Sequence, residues 1–281
     1  YKRQVHMYYF GHVVNAGKGS PSGGIYFDFS RFTDEQIDEM FEAVMDHFDG
    51  FYKHGYYHGE SIIDFRDLAK KKRRVEVGLT SEYSVGGIFV DENMFTGVPG
   101  LYAAGEAASG VFGANRVADA VTEMLVQGYK AGEVAAARAS EQTRVASDDA
   151  ATERAVGVLE KLLSNQGGIA VSEAIDRLGE ISDNALGMVR NETTLRAGVE
   201  AFETLGAEMD GISLRGKSLR YNRELMQALA ARNLLACSRV AAKMALERRE
   251  SRGLHLRDDY SYIDNENWQV CLLYTSPSPR D

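Results

Sequence analysis

Cysteine is nearly absent from this chain: Cys237 and Cys271 are the only two in 281 residues. Two thiols provide neither a disulfide framework nor a cysteine-based metal cluster, and their scarcity fits a reducing, cytoplasmic setting. No apolar run is long enough to cross a bilayer, so no transmembrane segment is expected, and no signal peptide is visible. Positive charge is also short. A formal net charge of −9 argues against nucleic acid as the main partner, and the basic run at residues 70–74 reads as a solvated face. What remains is a hydrophobic content of 44% and a charged content of 26%. These are the proportions of a globular chain able to bury a large core in two or three domains.

The most organised stretch is residues 80–128. Two apolar runs, residues 87–90 and 98–104, have strand composition and flank a turn at Asp91-Glu92-Asn93. The second run stops at Gly105-Glu106. A loop rich in Gly, Ala and Ser follows, and then a helical pattern from about Arg116 to Ala137. A strand, a glycine, an acid, a glycine-rich loop and a helix N-terminus suit a polyhydroxylated, anionic cofactor. Glycine permits close backbone approach, the carboxylate accepts hydrogen bonds from hydroxyls, and free helix N–H groups face negative charge.

On either side the pattern is mixed, then helical. Residues 18–24 form a turn-rich loop leading into a strand at 25–29. Thr33 reads as the N-cap of a helix over 34–48, with Ile37, Met40, Phe41, Val44 and Met45 on its apolar face. His54 and His58 stand four apart, but Gly55 and the surrounding aromatics favour a loop over a metal pair. Ser147-Asp148-Asp149 caps a helix running to Leu163. Amphipathic helices then follow at 171–178, 191–205 and 222–249. The last leans Leu225, Leu229, Leu234, Cys237, Val240 and Met244 inward, with Cys237 as a small core residue, and Gly253 ends it. His255 reads either as a catalytic base or, given the arginines and acids around it, as part of a structural ion-pair network.

Three motifs in order carry a resemblance: Thr80 to Ile88 (TSEYSVGGI), Pro99 to Glu106 (PGLYAAGE) and Phe112 to Arg116 (FGANR). The chain resembles the flavoprotein subunits of succinate dehydrogenase and fumarate reductase, together with L-aspartate oxidase. The run from Glu250 to Asp259, with Asn267-Trp268 beyond it, is similar to a closing motif of that family. The resemblance implies an α+β or α/β fragment. Residues 1–77 would end a capping domain, 78–142 would be the C-terminal part of an FAD-binding domain, and 143–270 a helical C-terminal domain. Residues 271–281 resemble an in-frame translation of a sequencing adaptor and are expected to lie outside the fold. The family's G-x-G-x-x-G does not occur, so the chain is read as lacking the N-terminal half and, by itself, as inactive with negligible FAD affinity.

The same resemblance implies an FAD-dependent oxidoreductase that exchanges hydride between flavin N5 and a small carboxylate substrate. Glu106 matches the acid that binds the ribityl chain, and Gly86, Gly87, Gly105, Asn115, Ala120 and Val121 fall at cofactor-binding positions. Arg116 matches the arginine that grips and orients the substrate carboxylate. Arg3, fourteen residues ahead of Gly17, stands at the spacing of the proton-delivering arginine. Departures matter too. Glu82 stands where the family binds substrate with histidine, Phe112 replaces a second histidine, and Asp119-Ala120 replaces an asparagine-serine pair. A charged Glu82 would repel a dicarboxylate, which leaves two alternatives open: a different small molecule as substrate, or a non-catalytic flavoprotein-like scaffold. The implied partner is an iron–sulfur electron-transfer subunit, through which the protein would lie peripheral to a membrane.

Overall fold

The computed structural model describes residues 2–45, 56–58, 61–63, 65–78, 86–108, 120–142 and 148–268. The chain divides into two compact units, Tyr1–Ser81 and Glu82–Asp281.

The first unit opens with α1 (Lys2–Asn15), a helix that the sequence did not suggest, followed by the glycine-rich loop and β1 (Ile25–Asp28). Thr33 starts α2 (Asp34–Met45) with reciprocal bonds: its N–H donates to Gln36 Oε1 and its Oγ1 accepts from the Gln36 N–H. A short hairpin of β2 (Tyr56–His58) and β3 (Ser61–Ile63) precedes α3 (Phe65–Lys72) and β4 (Arg74–Val77). β4 pairs antiparallel with β1, Ile25 opposite Val77 and Asp28 opposite Arg74. The core is small. Ile37, Ala69 and Val75 are buried, with Phe29, Phe41 and Phe65 packed around them at ring separations of 5.9–6.5 Å. The basic run at 70–74 is not simply a solvated face. Lys70 pairs with Asp38 at 2.5 Å, Arg73 reaches Asp34 and the Phe32 carbonyl, and Arg74 lies over the Tyr26 ring. Asp34 and Asp38 of α2 attract Arg73 and Lys70 and draw the end of α3 to that helix, while Arg74 on β4 meets Asp28 and Tyr26 of β1.

In the second unit the strand-like runs at 87–90 and 98–104 do not become ladders. Among the described residues they form single bridges, Ile88 with Ala108 and Phe95 with Tyr102. α4 (Ala120–Glu141) follows a short 3-10 turn, Gly105–Ala107. α5 (Asp149–Ser164) is capped as expected, with Asp148 accepting from the Ala151 N–H. α6 (Val171–Leu186), β5 (Val189–Arg190), α7 (Glu192–Met209) and α8 (Arg223–Glu247) build the bundle. Asn191 and Asn222 cap α7 and α8 through their side-chain oxygens. Phe202, Leu162, Leu178, Leu195, Leu205, Met209 and Ile212 are fully buried, and most of them form one core with α8's Leu225, Ala228, Ala231 and Leu235.

The outer side of α8 corrects two expectations. Leu234 and Val240 are more than half exposed and Cys237 is exposed, so all three point away from this core. Apolar residues run around the whole helix, and the small ones (Ala228, Ala231, Ala242) take the inner positions where helices approach closely. Nor does Gly253 end α8. The helix stops at Glu247, and Gly253 lies in the following turn where Arg252 and His255 exchange backbone bonds. A buried arginine explains the difference. Arg257, on β6 (Leu256–Arg257), donates to the Ala245, Leu246 and Arg248 carbonyls and takes the place of a glycine cap. β6 pairs in parallel with β5, and α9 (Asn265–Trp268) closes the described chain.

Candidate functional site

The site that the sequence suggests is centred on residues 86–108 and the start of α4. Gly87 lies against the 107–108 backbone. A Cβ there would stand 2.5 Å from the Ala108 carbonyl oxygen, so only glycine lets Ile88 donate its N–H to Ala107 at 2.8 Å. Asp91 Oδ1 accepts from the Asn93 and Phe95 N–H groups, which fixes the turn read at Asp91-Glu92-Asn93. The returning run brings Tyr102 beside Phe95 and ends in buried Ala103 and Gly105.

Gly105 is left-handed at φ +67°, and a Cβ on it would meet Met124 Cβ at 2.9 Å. Its conformation turns the chain so that the next residue, Glu106, is exposed at the tip of the 3-10 turn. Gly87 and Gly105 therefore act through packing against the protein itself. At Gly86, exposed and at φ +102°, an added Cβ would meet nothing within 4 Å, so that glycine leaves open space beside the backbone.

α4 is inverted relative to an ordinary amphipathic helix. Glu123 and Gln127 are buried, while Val121, Leu125, Val126 and Tyr129 are at least 60% exposed. The Gly105 N–H donates to Gln127 Oε1 at 2.7 Å, and Gln127 Nε2 donates to Glu123 Oε1 at 3.2 Å. Sequence reasoning missed both residues. Their i, i+4 spacing was the available signal, but it pointed equally well to solvent.

A second polar cluster surrounds His255. Its Nδ1 lies 3.1 Å from Arg190 Nη1, and its Nε2 lies 3.3 Å from the Arg248 carbonyl oxygen. An arginine only donates and a carbonyl only accepts, so the neutral ring carries its proton on Nε2. Burial, then the positive charge of Arg190, pushes the His255 pKa down to about 4. Burial, then Arg257, pushes the Arg190 pKa down to about 10. Glu250 is fully buried. Burial pushes its pKa up, but bonds from Arg252, the Asp264 N–H and Arg248 outweigh that and hold it below the usual range. Asp259 is held low by Arg257 and by the Glu192 N–H at 2.7 Å. The Arg190–His255 and Glu192–Asp259 contacts join the bundle to residues 248–268, and the others tie that segment to itself, which is the structural network read at His255.

A family model described as an FAD binding domain matches residues 7–119, and one described as fumarate reductase flavoprotein C-term matches residues 175–280. The fumarate reductase flavoprotein subunit of Haemophilus influenzae is 34% identical over 190 residues, covering 66% of this chain and 32% of its own length. The solved structure of Mycobacterium smegmatis Sdh1 in complex with UQ1 superposes with a TM-score of 0.79 at 30% identity, over 93% of this chain and 42% of that one. The chain belongs to the succinate dehydrogenase/fumarate reductase flavoprotein family. The family consists of FAD-dependent oxidoreductases, and this chain carries part of an FAD-binding domain. A fumarate reductase (CoM/CoB) subunit of Methanothermobacter marburgensis is 29% identical over 263 residues, 92% of this chain and 44% of its own length. The chain thus spans less than half the length of these flavoprotein relatives.

Within this flavoprotein family frame, the expected site residues divide into two groups. Gly86, Gly87, Gly105 and Glu106 fall in one described segment, with Ala120 and Val121 in the first turn of α4. Glu82, Phe112, Asn115 and Arg116 lie outside the described residues, as does the tail at 271–281. Arg3 lies in the first turn of α1, and its side chain is also outside them. Of the two spaced histidines, His58 ends β2 and His54 is outside the described residues. Among the described residues, no group of three or more His, Cys, Asp or Glu side chains could hold a metal ion. Nor is any described helix long and apolar enough to cross a membrane.

Proposed function

We propose that this chain contributes part of the flavin pocket and the helical C-terminal domain of a longer FAD-dependent oxidoreductase of the fumarate reductase/succinate dehydrogenase type. The observation that carries this reading is the Gly105–Glu106 turn, packed on α4 and presenting an exposed carboxylate, within a stretch matched by the FAD-binding family model. FAD, when bound, supplies the hydride-exchanging centre for a small carboxylate substrate. Glu106 accepts hydrogen bonds from the ribityl hydroxyls, and Gly86 leaves backbone open to the cofactor. Asn115, Ala120 and Val121 line the approach to the helix whose N-terminal N–H groups favour negative charge. Arg116 holds the substrate carboxylate in a bidentate fork, and Arg3 delivers a proton to the substrate carbon and regains one from a neighbouring carboxylic acid. Glu82 falls at the substrate-binding position, where a dicarboxylate binds only once a proton or a neighbouring cation neutralises that side chain.

The full-length protein sits in the cytoplasm, peripheral to a membrane through its partners, and passes electrons to or from an iron–sulfur subunit. In the purified full-length protein, a flavin absorbance bleached by reduced viologen and restored by fumarate would support the proposal. In Arg116→Ala, reoxidation should slow by at least about a hundredfold, the scale expected when a group positioning the reactant is lost. A colourless full-length protein, or a reduced flavin that no small carboxylate reoxidises, would refute it.

A further inference from the structure

We infer that Gln127 is a positioning residue for the flavin-binding acid: its carboxamide sets the direction of the Gly105–Glu106 peptide and so the place of the Glu106 carboxylate. The inference rests on the proposed role of Glu106 as a flavin ligand. Gln127 is 8% exposed and Glu123, one helical turn before it, 6%. Such burial on α4 is the reverse of what hydrophobicity would choose, because Val121, Leu125, Val126 and Tyr129 lie outside. Their contacts account for it. The Gly105 N–H is buried, belongs to no strand ladder, and has Gln127 Oε1 as its partner at 2.7 Å. Since that N–H can only donate, the amide must face it with oxygen. Its Nε2 then points to Glu123 Oε1 at 3.2 Å, which holds the carboxamide in that orientation.

The 3-10 turn is three residues long, and the Ala108 N–H closes its end on the Gly105 carbonyl at 3.0 Å. So short a turn fixes little by itself. On its far side, the left-handed Gly105 abuts Met124. The peptide that carries Glu106 is therefore held from α4 at two points, a steric stop at Met124 and a polar hook at Gln127. Without the hook, the buried N–H has no partner and the turn must rotate to find water, taking Glu106 with it.

The test uses the full-length protein for FAD affinity and the 281-residue chain for amide hydrogen exchange. Gln127→Met keeps the side chain's length and removes its polar atoms. It should accelerate exchange at the Gly105 amide and weaken FAD binding by about 5- to 30-fold, the range for one or two lost buried hydrogen bonds. The exchanged pair E123Q/Q127E places one carboxylate oxygen of residue 127 against the Gly105 N–H and lets the amide of residue 123 donate to its other oxygen. It should bring both readouts back to within about threefold of wild type, a rescue that loss of packing alone does not give. Unchanged Gly105 exchange in Gln127→Met overturns the hook. Faster exchange with FAD affinity within about twofold of a wild type that does bind FAD overturns the positioning role alone. A wild-type protein without FAD affinity overturns the proposed function and takes this inference with it.

Discussion

Acid should loosen the C-terminal strap of the bundle well before it protonates the carboxylates, and His255 should be the reason. The ring is held neutral between a cation and a carbonyl, with its pKa lowered from 6.5 to about 4 by burial and by Arg190. An unfolded chain restores the ordinary value. Between these limits the unfolded state binds one proton more than the native state, so stability is intact above pH 6.5 and declines as pH falls through that window towards 4. From about pH 7 to pH 5 the linkage amounts to about 2 kcal/mol. Urea denaturation at the two pH values, monitored by helix content, should show this difference in wild type. In His255→Gln, whose amide can accept from Arg190 and donate to the Arg248 carbonyl without titrating, most of the dependence should vanish. Glu250, Asp259 and Asp264, all held below the usual carboxylate range, lose their contributions only at lower pH. An equal pH dependence in wild type and His255→Gln, or a His255 ring that titrates at its ordinary value by NMR, would sink the argument.

Other substitutions probe the remaining contacts. Glu250→Gln leaves Arg248 and Arg252 beside a neutral group in a fully buried site and should cost about 3 kcal/mol in chemical denaturation. Phe202→Ala removes the largest fully buried side chain of the bundle and should cost about 3–5 kcal/mol, enough to lower the melting temperature markedly. Gly105→Ala places a Cβ on a left-handed residue against Met124. It should cost at least about 1–2 kcal/mol and speed hydrogen exchange in residues 103–108 relative to the bundle.

How much of this was legible depended on how local each cause was. The caps at Thr33, Asp148, Asn191 and Asn222 are decided within a few residues, and the helices they begin were visible in the sequence. The position of Gly105–Glu106 ahead of a helix was readable in the same way. The inner face of α8 was not, because apolar residues surround the helix and periodicity singles out no one side. Leu234, Cys237 and Val240 were assigned inward and lie outward. The runs at 87–90 and 98–104 have strand composition, yet a ladder needs neighbours, and the described residues supply only single bridges. Gln127 and Glu123 were invisible for a related reason. Their burial is dictated by one backbone N–H at Gly105, twenty-two residues before Gln127, and no pattern on the helix itself announces it.

Arg257 has a consequence for how the molecule is assembled. The carbonyl of Ala245 waits for a guanidinium that arrives twelve residues later in the chain. On a ribosome, α8, the longest of the described helices, would therefore emerge with its trailing end unsealed, and the seal would come only after Arg257 had cleared the tunnel. A premature stop anywhere between these two points would release a bundle that has its core but lacks the stitch that finishes it.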